Sequence, residues 1–221
     1  SLQRYYRTHL YIPSEQEFPN TSPMKQLIHQ VKLHGKNQPV WNVSMGNRET
    51  SLSIYTDAAG HCEVDSSLVP REQWLELEIH ANYNLYTDDQ LERATEAMLQ
   101  SYNTEYKPRI DPSFQYYING VEVCRLYMPL ITKAVLRDGG RRQLQIKFGI
   151  YNSYPSKWLL SQQENRVWLN NRNIQLKGYQ QHDKGQRNGA IRSKMSNPFK
   201  YDWPVRLPEQ TLYYTDWFMT K

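Results

Sequence analysis

No apolar run in this chain approaches the roughly 20 residues a bilayer-spanning helix needs, and none near Ser1 has the form of a signal-peptide h-region. The chain opens on polar and aromatic residues, as a mature secreted protein would, and a secreted or extracellular location is expected. Cysteine is scarce: Cys62 and Cys124 are the only two. Two cysteines define neither a zinc site nor a redox pair, so they are read as structural, as buried thiols, with one disulfide as the other option. His61, His80 and His182 lie in unrelated segments without metal-ligand spacing. No catalytic metal or other cofactor is therefore expected, and a structural Ca2+ held by loop carboxylates stays open. The absence of an internal repeat or low-complexity tract excludes a repeat architecture. Charge of neither sign dominates, since 27 Lys and Arg face 22 Asp and Glu for a net +5. Such an excess favours acidic partners without naming them.

What is present is a β pattern rich in flat side chains, with 17 Tyr and 6 Trp, which suit strand surfaces and sugar-binding grooves alike. Strand-like runs cover 5–12, 27–34, 39–45, 51–56, 74–81, both sides of Asn119-Gly120, 144–151, 174–179 and 212–221. Pro, Gly, Asn and Asp punctuate them, which predicts a single all-β domain over 1–221, a β-sandwich. Asn119-Gly120 between two such runs signals a hairpin, because a type I′ turn needs positive φ at both central residues. One helix is expected as an insertion at about 88–101: Thr87 and Gln90 form a capping box, Asp88 and Asp89 suit the N-terminus, and Leu91, Ala94, Met98 and Leu99 supply an apolar stripe. The segment 180–200 is polar and basic and reads as a long loop.

The stretch LQIKFGIYNSYPSKW, 144–158, carries the functional question. Leu144, Ile146, Phe148 and Ile150 fall on one side of a period-two strand and Gln145, Lys147, Gly149 and Tyr151 on the other. The same parity groups Gln30, Lys32 and His34 against His29, Val31 and Leu33, and groups Arg7, His9 and Tyr11 against Tyr6, Thr8, Leu10 and Ile12. If these three strands are neighbours, one concave sheet presents a polar, cationic groove, with Asn152 and Tyr154 just beyond it. The plainer alternative is a solvated sheet face. A cationic groove suits β-elimination of a uronic-acid polymer. That reaction needs the carboxylate's charge offset, a base for the C5 proton and an acid for the departing glycosidic oxygen. A Tyr can move such a proton if neighbouring cations stabilise its phenolate.

The pieces YYRTHLYIP, HQVKLHGKNQP, QWLELEIH, YYINGVEV, QIKFGIY and YYTDWF together resemble, in order along nearly the whole chain, the jelly-roll polysaccharide lyases of the heparin lyase I and glucuronan lyase group. They are more distantly similar to alginate lyases with a Q-I-H motif. The resemblance implies a jelly-roll, concanavalin-like sandwich and a carbon-oxygen lyase acting on an acidic polysaccharide of glucuronan or alginate type. It implies that Tyr151 matches the Tyr of the family's K-x-G-x-Y strand, the catalytic acid and a candidate base, and that Gln30 matches the Gln that binds the uronate carboxylate. Lys32 stands where the family has His, so the neutralising or basic role falls to Lys32, His34 or His29. The family's Arg-x-Glu strand has no clear copy here, and Arg4 and Arg7 are its candidate substitutes. Arg7, His9, Tyr11, Gln145, Lys147, Asn152 and Tyr154 are the expected substrate-binding residues.

Two other functions compete. Glu76 and Glu78, with His80 on the same strand face, invite comparison with a glycoside hydrolase, but carboxylates two residues apart on one strand are too close to flank a glycosidic bond. A lectin-like sandwich would use the same groove without turnover. Nucleic acid fits least, since the one tight basic cluster, RDGGRR at 137–142, reads as a turn. The expected partner is an anionic polysaccharide, with no nucleic acid and no membrane, for a monomer.

Overall fold

The structure, a computed structural model, describes residues 2–14, 26–34, 39–45, 52–137, 141–152, 155–172, 202–206, 212–215 and 218–220. In chain order its strands are β1 (Gln3–Tyr11), β2 (Gln26–His34), β3 (Pro39–Met45), β4 (Leu52–Thr56), β5 (Gly60–Val64), β6 (Trp74–Asn82), β7 (Phe114–Ile118), β8 (Val121–Leu126), β9 (Arg141–Asn152), β10 (Tyr213–Tyr214) and β11 (Phe218–Thr220). The α-helices are α1 (Asp88–Leu99), α2 (Lys133–Arg137), α3 (Pro155–Ser161) and α4 (Gln163–Asn171).

Alternation of apolar and polar residues builds two antiparallel sheets that bury one face each against the other. The first has six strands in the order β10-β1-β6-β7-β8, with β11 also on β1, and the second has five, β5-β4-β3-β2-β9. Tyr6 and Leu10 of β1, Leu75, Leu77 and Ile79 of β6, and Phe114 and Tyr116 of β7 meet Val31, Trp41, Val43, Leu52 and Ile54 of the second sheet in one core. Polar atoms inside that core are joined: the Trp41 indole N–H donates to the Tyr83 hydroxyl at 2.7 Å, which lies 2.9 Å from the Tyr6 hydroxyl. The fold is therefore the expected β-sandwich.

Both edges of the sandwich are tied. At one, Cys62 of β5 and Cys124 of β8 form a disulfide, so the expectation of buried thiols is corrected. The register brings these two edge strands, each the last of its sheet, to a Cα separation of 5.8 Å. At the other edge the Tyr214 hydroxyl of β10 donates to the Ile28 carbonyl of β2 at 2.9 Å, and its ring meets Phe148 of β9.

Several local expectations change. The hairpin at Asn119-Gly120 is present, with φ of 50° and 77°. Helix α1 has its capping box, Gln90 N–H to Thr87 Oγ1 at 3.3 Å and Thr87 N–H to Gln90 Oε1 at 2.9 Å. Its buried face is Ala94 and Ala97, however, and Met98 and Leu99 are exposed; the small residues let the helix approach closely while the larger ones project away. Helices α2, α3 and α4 were not expected beside it. Helix α3 starts with Pro at its first position, where the missing N–H costs nothing. The Asn165 side chain of α4 clasps Val205 by two hydrogen bonds of 2.9 and 2.8 Å. Within the run at 212–221 the described residues hold two short strands, both paired with β1. The run at 174–179 and the loop at 180–200 lie outside the described residues.

Candidate functional site: a recessed polar face

The three strands expected to share a groove do not share a sheet. β1 pairs with β6 over nine positions, from Gln3 opposite Asn82 to Tyr11 opposite Trp74, whereas β2 lies between β3 and β9. Arg7, His9 and Tyr11 are therefore on the outer face of the first sheet, away from Gln30, Lys32, His34, Gln145 and Lys147 on the outer face of the second. The cause is that period-two patterning assigns a residue to a face of its own strand and carries no information on which strand lies beside it.

On the second sheet the register aligns residues into rows. Lys147, Gln30, Asn42, Tyr55 and His61 are successive partners across all five strands. One step along, Tyr151, Leu27, Ser44, Ser53 and Glu63 form a parallel row, and Gln145 faces Lys32 on the other side. Five strands at about 4.8 Å spacing make each row roughly 19 Å long. The His34 Nδ1 lies 3.0 Å from the Gln145 amide nitrogen, so these two expected site residues are in contact.

The floor of this face is buried, not solvated. Gln30 is 5% exposed, Asn42 7% and Ser44 3%, although all three lie opposite the core side of their strands. Among the described residues the Gln30 amide oxygen has no hydrogen-bond partner, and leaving a buried acceptor unsatisfied costs about 1–3 kcal/mol. Beside it, burial and the neighbouring Lys147 ammonium both hold the Lys32 pKa below its usual value. Lys147 is the cross-strand partner of Gln30 and Lys32 lies two residues along on the same face, so two ammonium groups neighbour a carboxamide whose oxygen calls for a hydrogen-bond donor.

Strand β9 carries a bulge that sets the position of Tyr151. Between His29 opposite Phe148 and Leu27 opposite Tyr151, β9 spends three residues where β2 spends two. Gly149 sits inside it at φ 103°, a conformation that side chains other than glycine's rarely adopt. The backbone at Tyr151 is thereby in register with Leu27, and Asn152 with Gln26. The side chains of Tyr151 and Asn152, and the whole of Tyr154, lie outside the described residues. Phe148, expected in the core, is 55% exposed; β9 is the edge strand of its sheet, and the Phe148 ring meets Tyr214 there. His29 is a core residue behind this face: its ring stacks on Tyr116, and burial lowers its pKa to about 3, so it is a neutral imidazole and not a groove base.

Asn42, Ser44, Ser53, Tyr55 and Glu63 were missing from the sequence-based site. The signal was available in PVWNVSM, where Asn42 and Ser44 alternate with Trp41, Val43 and Met45 as polar residues do on the outer face of a sheet. Ser53 donates to Glu63 at 2.8 Å, closing the far end of the row.

On the first sheet's outer face, the Arg7 guanidinium donates to Glu76 at 2.6 Å, and the His9 Nε2 is 3.7 Å from the same carboxylate. His80 pairs with Glu78. The two carboxylates weighed for glycoside hydrolysis are thus each engaged by a basic neighbour. Among the described residues no group of three or more His, Cys, Asp or Glu is arranged to hold a metal ion.

Fold and site together define a two-sheet β-sandwich with a recessed, cationic polar face. No family model matches the chain, and no curated protein is similar to it. Among solved structures, a sheep galectin-11 determined in complex with glycerol is similar at 10% identity and a TM-score of 0.33, covering 69% of this chain and 87% of that one. A likeness at that level carries no argument about function.

Proposed function

We propose that the chain binds an acidic, uronate-bearing polysaccharide along the outer face of the second sheet and cleaves it by β-elimination. The observation that supports this reading best is the Gln30 amide oxygen, buried and without a partner among the described residues, on the strand face it shares with Lys32 and opposite Lys147. In the proposed complex a sugar hydroxyl donates to that oxygen, the Gln30 NH2 group faces the uronate carboxylate, and Lys32 and Lys147 offset its charge. Withdrawal of that charge acidifies the C5 proton. A base removes this proton, the C5–H electron pair forms the C4–C5 double bond, and the C4–O bond breaks. The leaving glycosidic oxygen takes a proton from the Tyr151 hydroxyl, the acid implied by the family resemblance. His34 is one candidate base and Tyr151 itself another, and Lys32 is a third only where it is the neutral amine and Lys147 alone offsets the charge. The disulfide suits an oxidising, extracellular location for such a substrate.

A non-catalytic, lectin-like sandwich is the second reading. It is favoured by the make-up of the described face, where carboxamide, hydroxyl and ammonium groups all bind sugars without needing to transfer protons. Absorbance of the unsaturated product, followed on a panel of glucuronan, alginate and glycosaminoglycans, separates the two. Tyr151→Phe is expected to abolish product formation with little change in polymer affinity, since only the proton-moving hydroxyl is lost. Lys32→Ala is expected to weaken both turnover and binding, and to flatten the dependence of affinity on salt. Wild-type turnover in Tyr151→Phe would remove Tyr151 from the mechanism. Salt-dependent binding without any product would favour the lectin-like function.

A further inference from the structure

We propose a second carbohydrate site on the opposite side of the sandwich, a twisted aromatic platform for uncharged pyranose rings. Its rings come from three adjacent strands. Tyr11 of β1 is in register with Tyr213 of β10 on one side and Trp74 of β6 on the other. Ring centroids are 5.9 Å apart for Tyr11 and Tyr213 and 5.5 Å for Tyr11 and Trp74. Three strands at this spacing give a platform about 10 Å long, enough for two sugar rings.

Exposure argues against a structural role for these rings. Trp74 is 49% exposed and Tyr213 53%, on a face whose inward neighbours Leu75 and Leu10 are fully buried. The core is complete without them. Neighbouring rings are inclined by 64° and 52°, so they do not form one flat plane, and successive pyranoses would each meet a separate ring. The C–H groups on one face of a pyranose pack against such rings, while its hydroxyls need planar polar groups at the rim.

The adjoining row supplies that rim. Two residues along, His9 is opposite Glu76, and Arg7 reaches the same carboxylate. The Thr215 hydroxyl lies 3.2 Å from the His9 Nδ1. Arg7 and Glu76 neutralise one another while Arg7 keeps further N–H donors and Glu76 further acceptor capacity for hydroxyls. This neutrality contrasts with the Lys32 and Lys147 recess and selects an uncharged sugar here. The site shares no residue with the uronate face, so it stands or falls separately.

The test is tryptophan fluorescence and calorimetry with three neutral probes, the β-1,4-linked hexaoses of glucose, xylose and mannose. Wild type is expected to bind at least one, with Trp74→Ala weakening it by about tenfold or more, as loss of an aromatic stacking contact implies. Tyr213→Ala should weaken it as well. Lys32→Ala and Lys147→Ala should leave that affinity unchanged, which separates this site from the uronate face. Binding of none of the three hexaoses, or equal binding by wild type and Trp74→Ala, would overturn the proposal. So would sedimentation showing that Trp74→Ala converts a self-associated form to monomer, because the platform's occupant would then be a second copy of the chain.

Discussion

His29 couples ionisation to folding more directly than any other described residue of the core. Its ring lies parallel to Tyr116 at 5.7 Å, with the Tyr116 hydroxyl 3.3 Å from Nε2, and burial lowers its pKa to about 3. In the unfolded chain the ordinary value is about 6.5. Between these two values the unfolded state binds more protons than the folded one, so stability is fully present above pH 6.5 and is lost as pH falls toward 3. The shift corresponds to a loss on the order of 5 kcal/mol at the acid end. Denaturation of wild type and His29→Gln across pH 3 to 7 checks this: the wild-type curve should fall steeply through that window, and the variant's should be flatter whatever its absolute stability. Parallel curves would show that carboxylates elsewhere govern acid unfolding. From sequence, His29 was a candidate for the role of the His in the Q-x-H pattern of the resembled family; its place on the core side of β2 was already set by the shared parity with Val31 and Leu33, and in the core its ring lies against Tyr116 and Trp41.

Elements were more legible than their neighbours. The alternation in β1 and β6, the hairpin joining β7 to β8 and the capped start of α1 each rest on residues within a few positions of one another, and each is found where the local pattern indicates. Sheet partners rest on contacts between distant segments. The pattern of β1 fits any sheet with an apolar inner face, and nothing in Arg7, His9 and Tyr11 distinguishes pairing with β6 from pairing with β2. The bulge in β9 lies between these cases: Gly149 is visible in the sequence, but it was assigned a regular alternating position, and its φ of 103° shows why that failed. A Cβ at position 149 would meet no atom within 4 Å. Gly149→Ala therefore tests backbone conformation alone, and is expected to cost about 1–3 kcal/mol. Gly120→Ala, equally free of contacts but at φ 77° and nearer the left-handed region open to L-residues, should cost less. Equal denaturation midpoints for the two variants would mean that the bulge relaxes without strain.

At the scale of the molecule the sandwich is closed differently along its two edges, and the proposed uronate recess lies toward one of them. Cys62 and Cys124 lock β5 to β8 across 62 residues of chain, while β9 and β10 at the other edge meet through Phe148 and Tyr214 without a covalent bond. A cross-link over that separation stabilises by about 4 kcal/mol if its effect is the lost entropy of the unfolded chain. Gln30, Lys32 and Lys147 belong to β2 and β9, on the non-covalent side, and only His61 and Glu63 ride on the disulfide-bearing strand. Stability and binding should therefore respond separately to reduction. The Cys62→Ala, Cys124→Ala double variant is expected to lose about 2–4 kcal/mol in denaturant unfolding, yet to keep its affinity for a uronate polymer within about threefold under conditions where it remains folded, a difference well under the 1.4 kcal/mol of a tenfold change. A parallel loss of affinity in the folded variant would show that the row extending to His61 and Glu63 carries binding energy, and would shift the centre of the site from β2 and β9 toward β4 and β5.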